Sequence, residues 1–269
     1  MAKRATAKTP EKITEVALKK ATARVSVSPT GAKARAIAAT EPVAAKVKRG
    51  KTANPLAPER VAAILDALKK TYPYAKCALN HRSAWELLVA TILSAQCTDV
   101  RVNLATPALF AAFPTPKAMA EASLPELEEL VRTTGFFRNK AKSIKGAAQM
   151  VTQEFGGEVP HTMDELLRIP GAARKTANVV LGSWFGIAVG VVVDTHVLRI
   201  SRRLELTKQT TPEKVEQDLM RVIPQTRWID FSHEVIFHGR QICIARKPRC
   251  VDCTLERLCN SADKTWSSH

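Results

Sequence analysis

The sequence predicts an all-α protein built from many short helices. Three observations carry that prediction. No stretch alternates apolar and polar residues at period two for long. Start signals precede runs of helical spacing at Ser83-Ala-Trp-Glu86, Ser123-Leu-Pro-Glu126, Thr162-Met-Asp-Glu165 and Thr211-Pro-Glu213. Helix-breaking punctuation separates the runs, at Pro73, Pro114, Pro116, Gly135, Gly156-Gly157 and Pro170-Gly171. Val191-Val-Val193 is β-prone but stands alone, so no sheet is expected.

In chain order, residues 1–53 stand apart. Residues 1–51 hold 13 Lys/Arg against 3 Asp/Glu and no aromatic residue. With no sustained apolar face, residues 1–53 read as a disordered basic tail. Such a tail is either an arm that adds nonspecific nucleic-acid affinity or a solvated extension. Pro58 opens the first helix, with Val61, Ile64, Leu65 and Leu68 on one face. Ser83 launches a helix through Leu87, Leu88, Val89, Ile92 and Leu93, apolar nearly all round and therefore central. Gln96-Cys-Thr-Asp99 interrupts it, and Asp99 is suited to cap the helix that follows. Pro114 and Pro116 break the pattern. The helix after Ser123 turns Leu124, Leu127 and Val131 inward, and Gly135 suits its end. A basic helix is expected over Asn139–Phe155, then a short one running into Pro170. Further helices follow over Ala172–Trp184, after Asp194, after Thr211 and over Trp228–Ile242.

The 269 residues suffice for one large core or two modest ones. Apolar content of 45% and charged content of 25% are ordinary for a globular chain. A net charge of +16 is not, and it points to a polyanionic partner. No apolar run is long enough to span a membrane, and no signal-peptide core is expected. Six cysteines, four of them between Cys243 and Cys259, read as a metal or cluster site in a reducing compartment rather than a disulfide scaffold. The expected location is cytoplasmic and nucleoid-associated in a prokaryote, with nucleus or mitochondrion as alternatives in a eukaryote.

The chain is organised around Ile169–Asp194. Ile169-Pro-Gly-Ala-Ala-Arg-Lys175 reads as a helix end, a tight hairpin and a helix start carrying an amine. Gly171 can take positive φ and let another backbone approach. Unpaired N–H groups at the helix start, beside Arg174 and Lys175, suit phosphate. Val193-Asp194-Thr-His196 brings a carboxylate to the next helix start. Taken alone, each of these residues is an ordinary solvated lysine or helix cap.

As a set, Ile169-Pro-Gly-Ala-Ala-Arg-Lys-Thr-Ala-Asn and Val-Asp-Thr-His resemble the helix-hairpin-helix and Asp signature of the endonuclease III family. Leu87-Leu-Val-Ala-Thr-Ile-Leu-Ser-Ala-Gln-Cys-Thr-Asp resembles the family's central helix and Gln-bearing turn. Thr134-Gly-Phe-Phe-Arg-Asn-Lys-Ala resembles its intercalating loop. The resemblance runs through roughly residues 56–262. It implies a bifunctional DNA glycosylase and abasic-site lyase for oxidised pyrimidines, bound as a monomer to double-stranded DNA with a damaged base or abasic site. Lys175 is then the nucleophile, with its neutral form favoured by Arg174, the helix dipole and partial burial, and Asp194 assists it. Gln96 fills the space left by the flipped nucleotide and Phe136 wedges beside it, with Phe137 as the alternative wedge. Gly171, Ala173, Arg174 and His196 are the remaining DNA-binding candidates. Arg138, Lys140, Lys142 and Lys145 either meet phosphates or form a solvated face. At residue 173 the family commonly has glycine; if positive φ were required there, alanine would cost ~1 kcal/mol.

Cys243-x6-Cys250-x2-Cys253-x5-Cys259 supplies four thiolates within seventeen residues. Zinc accepts four cysteines but commonly uses two Cys-x-x-Cys pairs, and one is present here. The resemblance assigns the run to a [4Fe–4S] cluster, with a basic loop at Arg246-Lys-Pro-Arg249. Cys77 and Cys97 read as small buried residues. The implied architecture is a bundle of about six helices over 77–187 bearing the hairpin, and a cluster lobe from 54–76 and 188–269, with a cleft between. The rival readings are an adenine-mismatch glycosylase, which lacks a lysine nucleophile, and a non-catalytic DNA-binding or redox-sensing protein on the same scaffold.

Overall fold

Helix starts set the architecture. The computed structural model describes residues 54–265, and the tail expected over 1–53 lies outside the described residues. Eleven α-helices and no strand occur among the described residues. They are α1 Pro58–Thr71, α2 Ala84–Leu93, α3 Asp99–Ala112, α4 Pro116–Glu121, α5 Leu124–Val131, α6 Phe137–Glu154, α7 Met163–Arg168, α8 Arg174–Ser183, α9 Thr195–Arg203, α10 Pro212–Val222 and α11 Trp228–Gln241. Val191–Val193 are buried and belong to no strand or helix.

The capping chemistry differs in detail from the sequence reading. Ser123 and Glu126 form a complete capping box on α5. On α2, Ser83 Oγ accepts from Glu86 N–H at 3.1 Å, but Glu86 turns to Arg82, accepting from its backbone N–H at 2.7 Å and its guanidinium at 2.8 Å. Thr98, not Asp99, caps α3, and Asp99 is its first residue. Pro116 does more than break the chain: behind the Thr115 cap it starts α4. The basic helix α6 begins two residues earlier than expected, at Phe137, and α8 begins two later, at Arg174.

Two hydrophobic cores form. The first takes residues from α2 to α8, including Leu88, Leu93, Leu109, Leu127, Ile144 and Leu181. Seven helices contribute, rather than about six, because α4 adds the fully buried Met119. The residues of α2 from Trp85 to Leu93 are all buried, as its apolar circumference requires. The second core joins α1 to α9, α10 and α11 through Ile64, Leu68, Val197, Leu219, Phe231 and Val235. Each such fully buried aliphatic side chain contributes about 1.5–3 kcal/mol relative to exposure. The chain passes between the cores at Val191–Val193, and Val192 belongs to the first while Val191 and Val193 belong to the second.

Candidate active site and nucleic-acid interface

The hairpin between α7 and α8 is closed by Ala172 N–H donating to Ile169 O at 3.0 Å. Gly171 has φ +82°. A Cβ there would lie 2.9 Å from Ser143 Cβ on α6 and 3.1 Å from Ile92 Cγ2 on α2. Conformation and space therefore both demand glycine. Ala173 is different: it is the N-cap of α8 with φ −74° and ψ 171°, an extended conformation that alanine adopts without strain. Positive φ is not required at this position.

Lys175, the second residue of α8, is exposed; the partial burial expected for it is absent. Asp194 is the N-cap of α9, and its Oδ1 accepts from the N–H groups of His196 and Val197, each at 2.8 Å. Both bonds use Oδ1, which leaves Oδ2 available to the cleft. Lys175 and Asp194 line one cleft of about 660 Å³ together with Gln96, Asp99, His196 and Arg240. A smaller recess beside it, also bounded by Lys175 and Asp194, adds Cys77 and His233. Cys77 and Cys97 are half-buried rather than core residues.

Neighbouring charges are committed to partners. Arg174 holds Glu216 of α10 through Nε at 2.7 Å and Nη2 at 3.1 Å. Its positive charge, expected to act on Lys175, is thus met by a carboxylate, which also raises the Arg174 pKa. Asp99 accepts from Arg240 of α11 at 2.6 Å, linking the two cores across the cleft. His196 packs against Gly239, where a Cβ would lie 2.7 Å from Nδ1, and Nδ1 lies 3.2 Å from Arg199 Nη2. Burial pushes the imidazole below its ordinary value, toward the neutral form.

Two non-glycine residues near the N-terminal ends of α3 and α6 are left-handed: Gln96 with φ +51° and Phe136 with φ +48°. Each costs about 1–2 kcal/mol in backbone energy. Gln96 is exposed, and Phe136 is 67% exposed. Phe137 is half-buried against the first core, its ring faced by Arg132 and Arg138 at 5.7 and 5.5 Å. The residue available as a wedge is Phe136. Of the four basic candidates on α6, Arg138 and Lys142 are exposed. Lys140 is buried, with Nζ donating to Thr134 O at 2.7 Å, and Lys145 donates to Ala122 O. These two serve the protein's own carbonyls.

Two helices share an unusual start. Among the eleven, only α6 and α8 have neither a capping side chain nor an acidic residue in the first turn. Both carry basic residues there instead, against the helix dipole. Their open N–H groups and added positive charge suit phosphate.

Cys243, Cys250, Cys253 and Cys259 line one cavity beneath the end of α9. Among the described residues no three metal-binding side chains converge on a single ion position. Four thiols around one cavity form a donor set of the kind that suits an iron–sulfur centre. Donors already face the sulfurs: Arg203 Nη1 lies 3.2 Å from Cys243 Sγ, and Thr265 N–H lies 3.4 Å from Cys250 Sγ. Burial first, and then the neighbouring Cys243, Cys259 and Cys250, push the Cys253 thiol up to about 12, so the thiolate form calls for a cationic centre.

Residues 89–225 match the model of the HhH-GPD superfamily of base excision DNA repair proteins. Endonuclease III of Synechocystis sp. is 57% identical over 204 residues, covering 76% of this chain and 93% of the relative. The chain belongs to the endonuclease III family. Endonuclease III of Escherichia coli is 40% identical, covering 75% of this chain and 95% of its own length. The solved structure of a trapped endonuclease III–DNA covalent intermediate superposes with a TM-score of 0.72 at 42% identity, covering 76% of this chain and 96% of that one. A non-covalent endonuclease III–DNA complex matches equally, with a TM-score of 0.72 at 42% identity over 76% of this chain and 95% of that one.

For this endonuclease III family member the sequence reading brought together the residues of the cleft but missed the pairs that brace it. Glu216, Arg240 and Asn178 gave no local signal, since each acts across tens of residues in sequence. The hairpin yields a paired prediction. Ala173→Gly should change stability by less than about 1 kcal/mol, because glycine's better fit at an N-cap opposes the entropy it adds to the unfolded chain. Gly171→Ala should cost about 2 kcal/mol or more, from left-handed backbone and overpacking together. Urea unfolding of the two variants measures the difference, and equal losses would contradict the geometry.

Proposed function

We propose that this member of the endonuclease III family excises oxidised pyrimidines from double-stranded DNA and then cleaves the strand at the abasic site. The observation that carries the reading is the shared cleft: an exposed amine at the start of α8 and a half-buried carboxylate at the start of α9 line the same space from different cores. Superfamily membership in base excision repair and the likeness to DNA-bound endonuclease III support it.

The chemistry follows from these groups. Lys175 Nζ, unprotonated, attacks C1′ of the extruded nucleotide, and the C1′–N bond to the base breaks. Asp194 accepts a proton from the attacking amine and offsets the positive charge that develops on the sugar. The sugar ring opens to a Schiff base between C1′ and Nζ. Loss of a proton from C2′ then expels the 3′ phosphate by β-elimination, and water releases Lys175. Asp194 does this work while Oδ1 caps α9, so its orientation is fixed before substrate arrives.

Extrusion of the nucleotide costs a few kcal/mol in lost stacking. Gln96 takes the vacated place, where its amide can pair with the orphaned base, and Phe136 stacks into the step beside it. The open starts of α6 and α8 hold the backbone phosphates, with Gly171 setting the hairpin turn and the short side chain of Ala173 allowing close approach. Arg174 meets phosphate with whatever of its guanidinium Glu216 leaves exposed, while His196 shapes the cleft wall. We divide the molecule into a bundle over 77–187 and a second lobe from 54–76 and 188–269.

The four cysteines would hold a [4Fe–4S] cluster. When bound, it cross-links the segment after α11 and fixes the lobe that carries Asp194. The surrounding N–H groups of Arg203 and Thr265 support thiolate at Cys243 and Cys250.

Two experiments test this reading. Lys175→Gln should abolish both nicking of thymine-glycol and abasic duplexes and borohydride trapping; a trapped complex that persists removes Lys175 from the role. Activity confined to adenine opposite 8-oxoguanine would favour the adenine-mismatch alternative, and no activity on any of the three would favour a non-catalytic protein. Purified protein should be brown with about four irons per chain, and Cys253→Ser should lose the colour together with thermal stability. Stoichiometric zinc in a colourless protein would overturn the cluster.

A further inference from the structure

The buried ammonium of Lys140 stands where a cation is poorly placed. It is 6% exposed and lies in the first turn of α6, whose start has no capping side chain and no acidic residue. No carboxylate among the described residues acts on it; burial lowers its pKa, and only the Cys97 thiol, beside Gln96, works in the other direction. A methionine of similar length would fill the same volume without burying a charge. The charge itself adds nothing to stability here; what lysine contributes is the one bond it donates to the buried Thr134 carbonyl.

The position of that bond explains the lysine. Lys140 Nζ donates to Thr134 O at 2.7 Å. Thr134 is itself buried, and its hydroxyl donates to Val131 O at 2.7 Å. The next two residues, Gly135 and Phe136, have φ of +71° and +48°, and Phe136 stands 67% exposed. The ammonium thus ties the last fixed carbonyl before the left-handed pair to the first helical turn after it. We propose that Lys140 is a positioning residue for base extrusion: it clamps the Thr134 carbonyl and so holds Phe136 outward, ready to enter the duplex. Lys140 acts through Phe136 and does not touch substrate. The proposal rests on the reading of Phe136 as the wedge.

Lys140→Met removes the clamp and keeps the bulk. A preformed abasic site has already lost its base, so its cleavage depends less on wedging than excision of thymine glycol does. Single-turnover rates on the two substrates separate positioning from general damage. Lys140→Met should melt near the wild-type temperature, since removal of the buried charge offsets the bond lost at Thr134 O, while the ratio of thymine-glycol excision to abasic-site nicking falls ~10–100-fold, the scale of a misplaced active group. Lys140→Arg, which retains a donor, should recover most of that ratio. Phe136→Ala should show the same selective loss, and the double variant should be no worse than Phe136→Ala alone. Equal losses of Lys140→Met on both substrates, or additive losses in the double variant, would overturn the clamp. A selective loss for Phe136→Ala without one for Lys140→Met overturns the clamp but keeps the wedge. No selective loss for Phe136→Ala overturns the wedge and the clamp together. Lys140→Gln carries the same comparison if Lys140→Met does not fold.

Discussion

A single buried carboxylate joins the two cores where the cleft opens. Glu216 is 5% exposed and sits on α10, whose Val215 and Leu219 belong to the second core. Its oxygens accept from Arg174 twice and from Asn178 Nδ2 at 2.8 Å, both on α8 of the first bundle. Arg174 and Asn178 are one turn apart on a single face of α8. Lys175 follows Arg174 by one residue and so points about 100° away around the helix. Glu216 therefore grips the side of α8 and leaves the amine free. Removing Arg174 would leave the buried Glu216 charge to Asn178 alone, but the Arg174 end of the pair is open to solvent, so the loss falls short of that for a fully buried pair. Asp99 and Arg240 make a second, more exposed crossing at 2.6 Å. Exposure makes it a weaker brace than Glu216.

Two helix starts on the face proposed to meet DNA are left incomplete. Six helices, from α2 to α5 and then α7 and α9, receive a side-chain cap. Starts α6 and α8 receive none and carry cations, an arrangement that costs each helix roughly 1 kcal/mol or more. Both belong to the first core, which buries enough apolar surface to absorb the loss. Left-handed Gln96 and Phe136 add to it. The strain collects on the face proposed to meet DNA, and α2 behind it is buried along its length.

Much of this was legible in the sequence, for local reasons. Capping residues at Ser83, Ser123 and Thr162 mark helix starts through bonds that span three residues. The apolar run of α2 announces a central helix, and Pro-Gly at 170–171 announces a tight turn. The resemblance to the endonuclease III family drew Lys175 and Asp194 to one cleft, which no local signal does. What stayed illegible is distance-dependent. The basic pattern of α6 looks uniform in sequence, yet Lys140 is buried while Arg138 and Lys142 are exposed. Glu216 reads as one more acid on an amphipathic helix, and its partners lie 42 and 38 residues away. Whether a charge is solvated or braces two cores is settled by packing between segments, and composition carries no trace of that.

The hairpin shows why two small residues two positions apart obey different rules. Gly171 is constrained by its own backbone and by Ser143 and Ile92 pressing from α6 and α2. Ala173 is free of both constraints, being extended and exposed. Its effect is exerted through what it lacks. A serine or aspartate at this N-cap would satisfy the first N–H groups of α8 and stabilise the helix by about 1 kcal/mol. Alanine satisfies none of them, so the donors beside Lys175 stay open to an anion from outside. A capping side chain would compete with phosphate for the same hydrogen bonds. For the phosphate contact proposed at α8 the poorer cap is therefore the better surface, and alanine leaves it open as glycine would, with a stiffer chain.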